Sequence, residues 1–214
     1  MIRQVLLGGA GLAAAAALIL WRSSFSSETL VERRIAPPEA APLCPWREPE
    51  RDLKALFPQA TRYEVETRVL SGMRQQLGAR LGRGLAPDET ALHLNRVYQD
   101  ATLLGTVLTR RVKGEHGAIE IVAGVGVDRR LHGLRLQRLR EPDSVSKALQ
   151  DPQWLGAFLG KTAESAWRLG TDVPDVPAEA GPSADAIVQG TRTLMVLLAA
   201  AETPVAVSPT VARH

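Results

Sequence analysis

The sequence predicts an α+β fold, with an antiparallel-rich sheet and flanking helices, preceded by one N-terminal transmembrane helix. Strand-like segments follow one another through short turns in the middle of the chain, and helical patterns lie on both sides of them. Helices segregated from a run of strands are typical of α+β domains. With 214 residues, 45% of them hydrophobic, the chain has room for one domain with its own core beside an anchor and a linker.

An uninterrupted apolar run over residues 5–20 predicts a membrane anchor, to which we assign residues 1–21. The run is at the short edge of the roughly 17–25 residues that cross a bilayer, and Trp21 behind it suits the membrane–water interface. A cleaved signal peptide is the competing interpretation, because the run is Ala-rich and follows the basic Arg3. Bulky residues where cleavage would fall favour an uncleaved span. Arginines on both sides of the run leave its orientation open.

A linker is predicted over residues 22–48, because this segment starts with a serine cluster and ends in prolines, a composition that favours extended backbone. Its Cys44 is the only cysteine of the chain, which excludes an internal disulfide and any CxxC metal or haem motif. We interpret Cys44 as a free thiol, with pairing to a partner's thiol as the alternative. The soluble domain is predicted over residues 49–202 and a disordered tail over residues 203–214.

The first part of the domain is predicted as two helices around one strand. The helices cover residues 50–57 and 72–82, and the strand covers residues 61–70. The strand alternates in polarity, so Tyr63, Val65 and Thr67 are expected on one face. Ser71 is the predicted N-cap of the second helix, because its hydroxyl could accept from the first free N–H groups.

The remainder of the domain is predicted as four strands and two closing helices. The strands cover residues 92–98, 103–110, 118–127 and 131–139, and the helices cover residues 152–169 and 184–201. Turns are expected at Asp100 and at residues 127–130, and a Pro- and Ala-rich loop over residues 173–182. Trp154 and Trp167 are expected to pack in the core from the first of the closing helices.

Composition and motifs exclude several classes of function. The formal net charge of +3 is spread along the sequence, so nucleic-acid binding is not indicated. The four histidines are nowhere three or four residues apart, the spacing with which a helix presents metal ligands. No serine-hydrolase elbow, Walker motif or dinucleotide fingerprint is present, and Gly124-Val125-Gly126 follows a strand but opens no helix. Nothing in the sequence therefore supports a hydrolase or a transferase.

A series of short segments along the soluble part carries a family resemblance. The segments are 53–60 (LKALFPQA), 103–107 (LLGTV), 112–120 (VKGEHGAIE), 133–136 (GLRL), 140–142 (REP) and 154–161 (WLGAFLGK). In their order and spacing they resemble the FMN-binding domain family. That family includes the small flavin-carrying subunits of sodium- or proton-pumping NADH and ferredoxin oxidoreductases.

The resemblance implies an α+β domain behind an N-terminal span in the inner membrane, on the periplasmic side, with electron transfer through FMN. The protein would then be a subunit or accessory of a membrane redox complex, with the membrane and other subunits as partners, rather than a stand-alone enzyme. The alternative is a structural or assembly subunit that keeps the fold but has lost the flavin. In many members the FMN phosphate is attached to a threonine in an S-G-A-T-x-T-S motif, where a helix start offers backbone N–H groups.

The region corresponding to this motif is residues 178–192, and two registers are open. If the following helix sets the register, Gly181 occupies the attachment position and excludes a covalent phosphoester. If the single Gly-x-Ser is matched instead, Ser183 takes the threonine's place, but the apolar face of the helix turns away, so we favour Gly181. Pro182 removes one N–H donor, and Asp185 places a carboxylate in the first turn. Ser183 or Asp185 is then expected to cap the last helix.

Two other segments of the resemblance bear on the flavin. Glu141-Pro142 match a turn that lies near the flavin in the family, but the glycines that would let backbone approach the ring are missing. His116 lies in a glycine-rich turn, where we favour a structural role. The candidate cofactor-binding residues are therefore Ser183, Gly181, Glu141, Pro142, His116 and Gly117, with no catalytic or metal-binding residue. The implied cofactor is FMN, bound non-covalently or, less favourably, attached at Ser183, or there is none.

Overall fold

The computed structural model describes residues 31–34, 46–87 and 89–203. One six-stranded sheet runs through the domain in sequence order, β1 to β6. Its strands are β1 (Val31–Arg34), β2 (Arg62–Val69), β3 (Ala91–Gln99), β4 (Thr102–Lys113), β5 (Ala118–Gly126) and β6 (Leu131–Leu139). Strands β2 to β6 are antiparallel, and β1 pairs with β2 in parallel at the edge.

In the part of the chain that the structure describes, five α-helices flank the sheet, so the α+β prediction is confirmed. They are α1 (Pro49–Leu56), α2 (Arg74–Leu81), α3 (Asp143–Leu149), α4 (Pro152–Gly156) and α5 (Gly181–Glu202). Helix α1 packs in a small core on one face of the sheet, and the larger core on the other face contains residues of the remaining helices. The predicted membrane anchor and, apart from Thr203, the predicted tail lie outside the described residues, while the predicted linker contains β1.

Strands β3 and β4 pair over only part of their length. Their register runs from Asn95↔Val107 to Gln99↔Thr102. On the other side of the Asn95↔Val107 pair, residues 91–94 pair only with β2, and residues 108–113 pair only with β5. The Asn95 side chain marks the point of separation, because its amide donates to the Val107 carbonyl at 2.9 Å. The described sheet therefore opens into a fork between β3 and β4.

Helix α1 lies in a groove that three glycines form on neighbouring strands. A Cβ at Gly105 would lie 2.8 Å from the Phe57 ring, and one at Gly124 would lie 3.2 Å from Leu56, while Gly133 lies directly against Leu56. The absence of side chains at these positions lets the end of α1 approach the sheet. Gly124 thus belongs to a packing groove inside β5, in agreement with the prediction that the Gly-Val-Gly segment opens no helix.

The predicted helix over residues 152–169 is wrong. A short helix, α3, precedes it, and α4 ends at Gly156 after a start capped by the Asp151 side chain. The chain then continues in turns, with left-handed backbone at Gly160, φ +73°, and Gly170, φ +78°. Trp154 and Trp167 are both buried as expected, but only Trp154 lies in a helix. Helix α4 ends at Gly156, and the left-handed Gly160 that follows prevents the chain from continuing as a helix, although the apolar spacing suggested one.

The two predicted helix caps are also wrong. Ser71 lies in a 3-10 turn, and α2 begins after Met73 without a side-chain cap. Helix α5 begins at Gly181, so neither Ser183 nor Asp185 is at its N-cap, and no side chain caps it. In both places a 3-10 turn leads directly into the α-helix, which shifts the start of the helix away from the predicted capping residue.

Helix α5 with its preceding 3-10 turn is the one described helix that is long and apolar enough to cross a membrane. In its most apolar window, 67% is buried inside the domain. Its apolar residues Ile187, Leu194 and Leu197 belong to the larger core. The core helix of a folded domain passes the same test of length and hydropathy, so the predicted N-terminal span stays a prediction.

Candidate functional site

Three segments that are far apart in sequence meet at one end of the sheet, which we call the site end. They are the β4–β5 turn at residues 114–117, Glu141 just after β6, and Ser183 in the first turn of α5. Glu141 and Ser183 are buried, with a fully buried Glu141 side chain, whereas the His116 side chain is 52% exposed. The structure therefore brings together the predicted residues His116, Glu141 and Ser183.

Hydrogen bonds connect the three segments through the Glu141 carboxylate. The Ser183 hydroxyl donates to Glu141 Oε1 at 2.9 Å, and His116 Nδ1 lies 2.8 Å from Oε2. The backbone N–H of His116 also donates to both carboxylate oxygens, at 3.3 Å. Ser183 Oγ in turn accepts from the Glu115 backbone N–H at 2.8 Å. We call His116, Glu141 and Ser183 the carboxylate cluster.

The carboxylate cluster favours the ionised form of Glu141. Burial alone would raise the pKa of the carboxyl, but hydrogen bonds from His116 and Ser183 outweigh it and hold the pKa below its usual range. Gly114 lies so close that a Cβ there would collide with Glu141 Oε1 and lie 2.9 Å from Ser183 Oγ. A buried carboxylate that accepts several hydrogen bonds is a strong cross-link between loops.

The other predicted site residues lie around this cluster. Gly117 packs against Arg140, where a Cβ would lie 2.9 Å from the arginine Cβ. Pro142 is exposed at the N-cap position of α3. Gly181 starts α5, and a Cβ there would meet nothing within 4 Å. The six predicted residues thus share one region, in which Gly181 has free space and Ser183 has none.

The geometry at Ser183 argues against nucleophilic and covalent chemistry. In a Ser–His–acid triad the hydroxyl donates to the imidazole, but here it donates to the carboxylate. The same hydroxyl is fully buried and both donates and accepts a hydrogen bond. Gly181 has the space for a phosphoester but no hydroxyl. The residues present therefore do not fit a covalently attached flavin, in either register.

A cavity of about 810 Å³ lies in the fork between β3 and β4 and extends from Gly117 to α5. Its apolar wall includes Leu92 of β3, Val112 of β4 and Leu194 and Leu197 of α5. Residues of both β3 and β4 line the cavity. Across the gap the backbone groups of the two strands do not pair with each other, because the described pairing of β3 with β4 stops at Asn95 and Val107. The volume is within the range of pockets that bind small molecules and cofactors.

Cationic side chains outnumber anionic ones in the lining of this fork cavity. Its charged lining residues are Arg83, Glu89, Arg110, Arg111 and Lys113. Arg83 and Arg110 both pair with Glu89, at 3.4 and 2.5 Å. Although burial opposes it, the hydrogen bond from the Ala86 backbone N–H, together with these arginines, holds the pKa of Glu89 below its usual range. Arg110 Nε is buried and has no hydrogen-bond partner among the described residues. The lining is therefore suited to an anionic group.

His93 also lines the fork cavity, and this titratable side chain adds no charge to the lining. Its Nδ1 lies 3.0 Å from the Thr67 hydroxyl, and burial lowers its pKa, so the imidazole is neutral at pH 7. The Lys113 side chain, at the end of β4, has neither a hydrogen bond nor an ion pair with any described residue. Its ammonium is thus the cation of the fork cavity that no described residue neutralises.

Sequence reasoning missed the fork cavity and its charged residues. Arg83 and Glu89 are in an irregular loop and Arg110 is in a strand, so no local motif links them. In the sequence analysis Lys113 belongs only to the segment 112–120, one of those that resemble the FMN-binding domain family. The separation of β3 from β4 would have indicated the cavity. It depends on how whole strands pair, so no short segment of the sequence shows it.

Neither a metal site nor a comparison with known proteins assigns a further role to these residues. Over the ranges that the structure describes, no group of three or more His, Cys, Asp or Glu side chains is arranged to hold a metal ion. No family model matches the chain, and no curated protein matches it either.

Proposed function

We propose that the chain is a membrane-anchored FMN-binding domain that takes part in electron transfer, as a subunit or accessory of a membrane redox complex. In this proposal FMN binds non-covalently in the fork cavity, beside the carboxylate cluster and not attached to it. The observation that carries the proposal is the cavity itself, which combines apolar walls with a cationic lining next to Gly117. Its location in the inner membrane, with the domain on the periplasmic side, rests on the sequence resemblance.

The lining of the fork cavity suits each part of FMN. Leucine and valine side chains offer an apolar wall to the flavin ring, and unpaired strand backbone offers hydrogen-bonding groups to its polar edge. Lys113, Arg83 and Arg110 would hold the phosphate, because Glu89 neutralises only part of their charge. Bound FMN supplies one- and two-electron redox chemistry, which no side chain of the cavity has.

The test uses the full-length chain purified in mild detergent. Its absorption near the flavin bands is recorded before and after acid precipitation, which separates attached from dissociable flavin. Apo-protein is then titrated with FMN while flavin fluorescence is followed. We expect saturable binding and no flavin in the acid precipitate. Failure of apo-protein to bind excess FMN would overturn the proposal.

Lys113→Gln is the informative variant of this titration. It removes a cation of the cavity without breaking a contact within the described domain, so affinity for FMN should fall about tenfold, as expected for one charge-assisted contact of roughly 1.5 kcal/mol. Lys147→Gln is the matched control, because Lys147 is exposed on α3 outside the cavity. Equal affinity of both variants would place the phosphate elsewhere.

A flavin-less structural or assembly subunit is the second candidate function, and the carboxylate cluster favours it. The hydroxyl nearest the family's attachment position is used to tie loops together. In that case the protein would co-purify with a redox complex whose activity survives flavin removal from this subunit. Full-length protein that neither binds FMN nor co-purifies with any partner would contradict both candidates.

A further inference from the structure

Exposed apolar residues are concentrated at the end of the sheet opposite the carboxylate cluster. This hairpin end carries the β3–β4 and β5–β6 turns. Four large apolar side chains are exposed in the described domain: Val69, Leu103, Val127 and Leu159, at 67%, 37%, 64% and 53%. Leu103 is the second residue of β4 and Val127 lies in the β5–β6 turn. Leu159 adjoins Gly160, whose N–H donates to the Leu131 carbonyl at the start of β6. Only Val69 lies at the site end.

Arginines lie beside these apolar residues, and two of them have acidic partners: Arg129 Nε lies 3.2 Å from Glu202, and Arg62 pairs with Glu64. Arg129 and Arg130 form the β5–β6 turn together with Asp128, and both arginines are exposed. Arg130 donates to the Gly160 carbonyl at 3.0 Å and so keeps its full charge beside Leu159. Arg62 lies over the Tyr98 ring at the same end, 4.1 Å from its centroid. Arg130 has no ion pair with a described residue, so it is the arginine of this end that can meet an anionic lipid headgroup beside the exposed apolar side chains.

The chain enters the domain at this same end. Strand β1 is parallel to β2, and Val31 lies opposite Arg62, whose Nε donates to the Asp100 carbonyl in the β3–β4 turn. Nine residues separate Val31 from Trp21, which closes the apolar run. At most about 3.5 Å per residue, this segment spans no more than about 32 Å. The predicted anchor therefore tethers the hairpin end, rather than the site end, close to the bilayer.

We infer that the hairpin end is a membrane-docking surface, which inserts Val127 and Leu159 among the headgroups of an anionic bilayer. The inference rests on the membrane anchor of the proposed function but not on FMN. It orients the domain with β-strands directed away from the bilayer and the carboxylate cluster at the distal end. The fork cavity then faces away from the lipid, where a soluble or membrane-bound partner can approach it.

The experiment places a fluorescent label at single cysteines in the full-length chain, in a Cys44→Ser background. Val127→Cys and Leu159→Cys report on the hairpin end, and Val69→Cys is the matched control, equally exposed at the site end. The chain is reconstituted into phosphatidylglycerol vesicles that contain headgroup-level nitroxide lipids. We expect several-fold quenching at positions 127 and 159 and none at 69. Vesicles of phosphatidylcholine alone should quench less, because Arg130 loses its anionic partner.

Hydrogen exchange of the chain without substitutions guards against misfolded variants. Amides of residues 127–130 should exchange more slowly in phosphatidylglycerol vesicles than in detergent, while residues 114–117 should not change. Absence of quenching at both hairpin-end positions, or equal quenching at 69, would overturn the docking surface. Shielding that occurs only in native membranes would assign the surface to a protein partner and also overturn it. FMN titration is independent of all these outcomes, so failure of either proposal is recognised separately.

Discussion

At the scale of single residues, Glu141 connects the segments that meet at the site end. It is a buried carboxylate that accepts hydrogen bonds from the β4–β5 turn and from α5. Removal of one member of such a cluster leaves buried polar groups without partners, which costs more than the hydrogen bonds themselves contributed. The carboxylate cluster is therefore expected to stabilise the site end whether or not a cofactor binds.

Glu141→Ala should destabilise the domain by roughly 2–4 kcal/mol, because Ser183 Oγ and the His116 backbone N–H lose their acceptor. Chemical denaturation of the full-length protein measures the change. Glu115→Ala is the control, since this neighbouring carboxylate is exposed and its side chain makes no described contact. A loss no greater than that of the control would mean that the cluster contributes little to stability.

Gly114→Ala should disrupt the cluster more severely than its small size suggests. A Cβ at Gly114 would occupy the space of Glu141 Oε1 and press on Ile119 and Ser183. Overpacking of this kind costs roughly 1–3 kcal/mol. Gly72→Ala is the matched control, because a Cβ there would meet nothing within 4 Å. Thermal melting of the two variants side by side measures the difference in stability. Equal melting temperatures would contradict the close packing at Gly114.

At the scale of elements, α1 shows how a short helix can be held without a cap. No side chain caps its N-terminus. Instead Asp52, fully buried, accepts from Arg135 Nε of β6 at 2.9 Å and from the Trp46 indole at 2.7 Å. Together with the glycine groove under Leu56 and Phe57, these contacts fix α1 on the sheet. Isolated helices of this length are not stable in water, so tertiary packing accounts for α1.

Phe57→Ala should release α1 from its groove at a cost of about 3–5 kcal/mol, the usual cost of removing a buried aromatic ring. Hydrogen exchange across residues 49–60 measures the release, and β5 should keep its protection. Leu159→Ala serves as control, because its side chain is 53% exposed and should change stability by less than about 0.5 kcal/mol. Unchanged exchange in α1 would mean that Asp52 alone holds the helix.

At the scale of the whole molecule, buried carboxylates make stability depend on pH. The pKa values of Glu89 and Glu141 are both held below the usual value. The unfolded chain therefore binds more protons than the folded one at acidic pH, and the folded state loses stability as pH falls. The contribution is complete above the ordinary glutamate pKa of about 4.3 and is lost as pH falls through the lowered folded values.

The unfolding free energy should accordingly be flat near neutral pH and decline below about pH 4.3. In the Glu89→Gln/Glu141→Gln double variant the neutral-pH stability should be lower and the decline shallower, because neither side chain titrates. Denaturant titrations at a series of pH values measure both curves. Parallel acid declines in the two proteins would show that other carboxylates dominate.

Most of the secondary structure could be predicted because it depends on local patterns. Alternation placed β2 to β6 to within a few residues, and apolar spacing located α5. The helix that was predicted wrongly and the helix that was missed also have local causes, which apolar spacing does not reveal. Helix α4 ends at Gly156 and is followed by the left-handed Gly160, and α3 is too short for periodicity to reveal. The candidate site was predicted by resemblance alone, since no spacing in the sequence joins His116 to Glu141 or Ser183.

The sequence by itself determined the order of the strands, the position of α5 and the glycines available for close packing. Only the tertiary structure decided what Ser183 and Glu141 do, because their partners are 42 and 25 residues away and strand pairing brings them together. The same holds for the fork between β3 and β4, which arises where each strand keeps one neighbour and loses the other. Contacts across such separations depend on the whole sheet, whereas a helix or strand depends on its own residues.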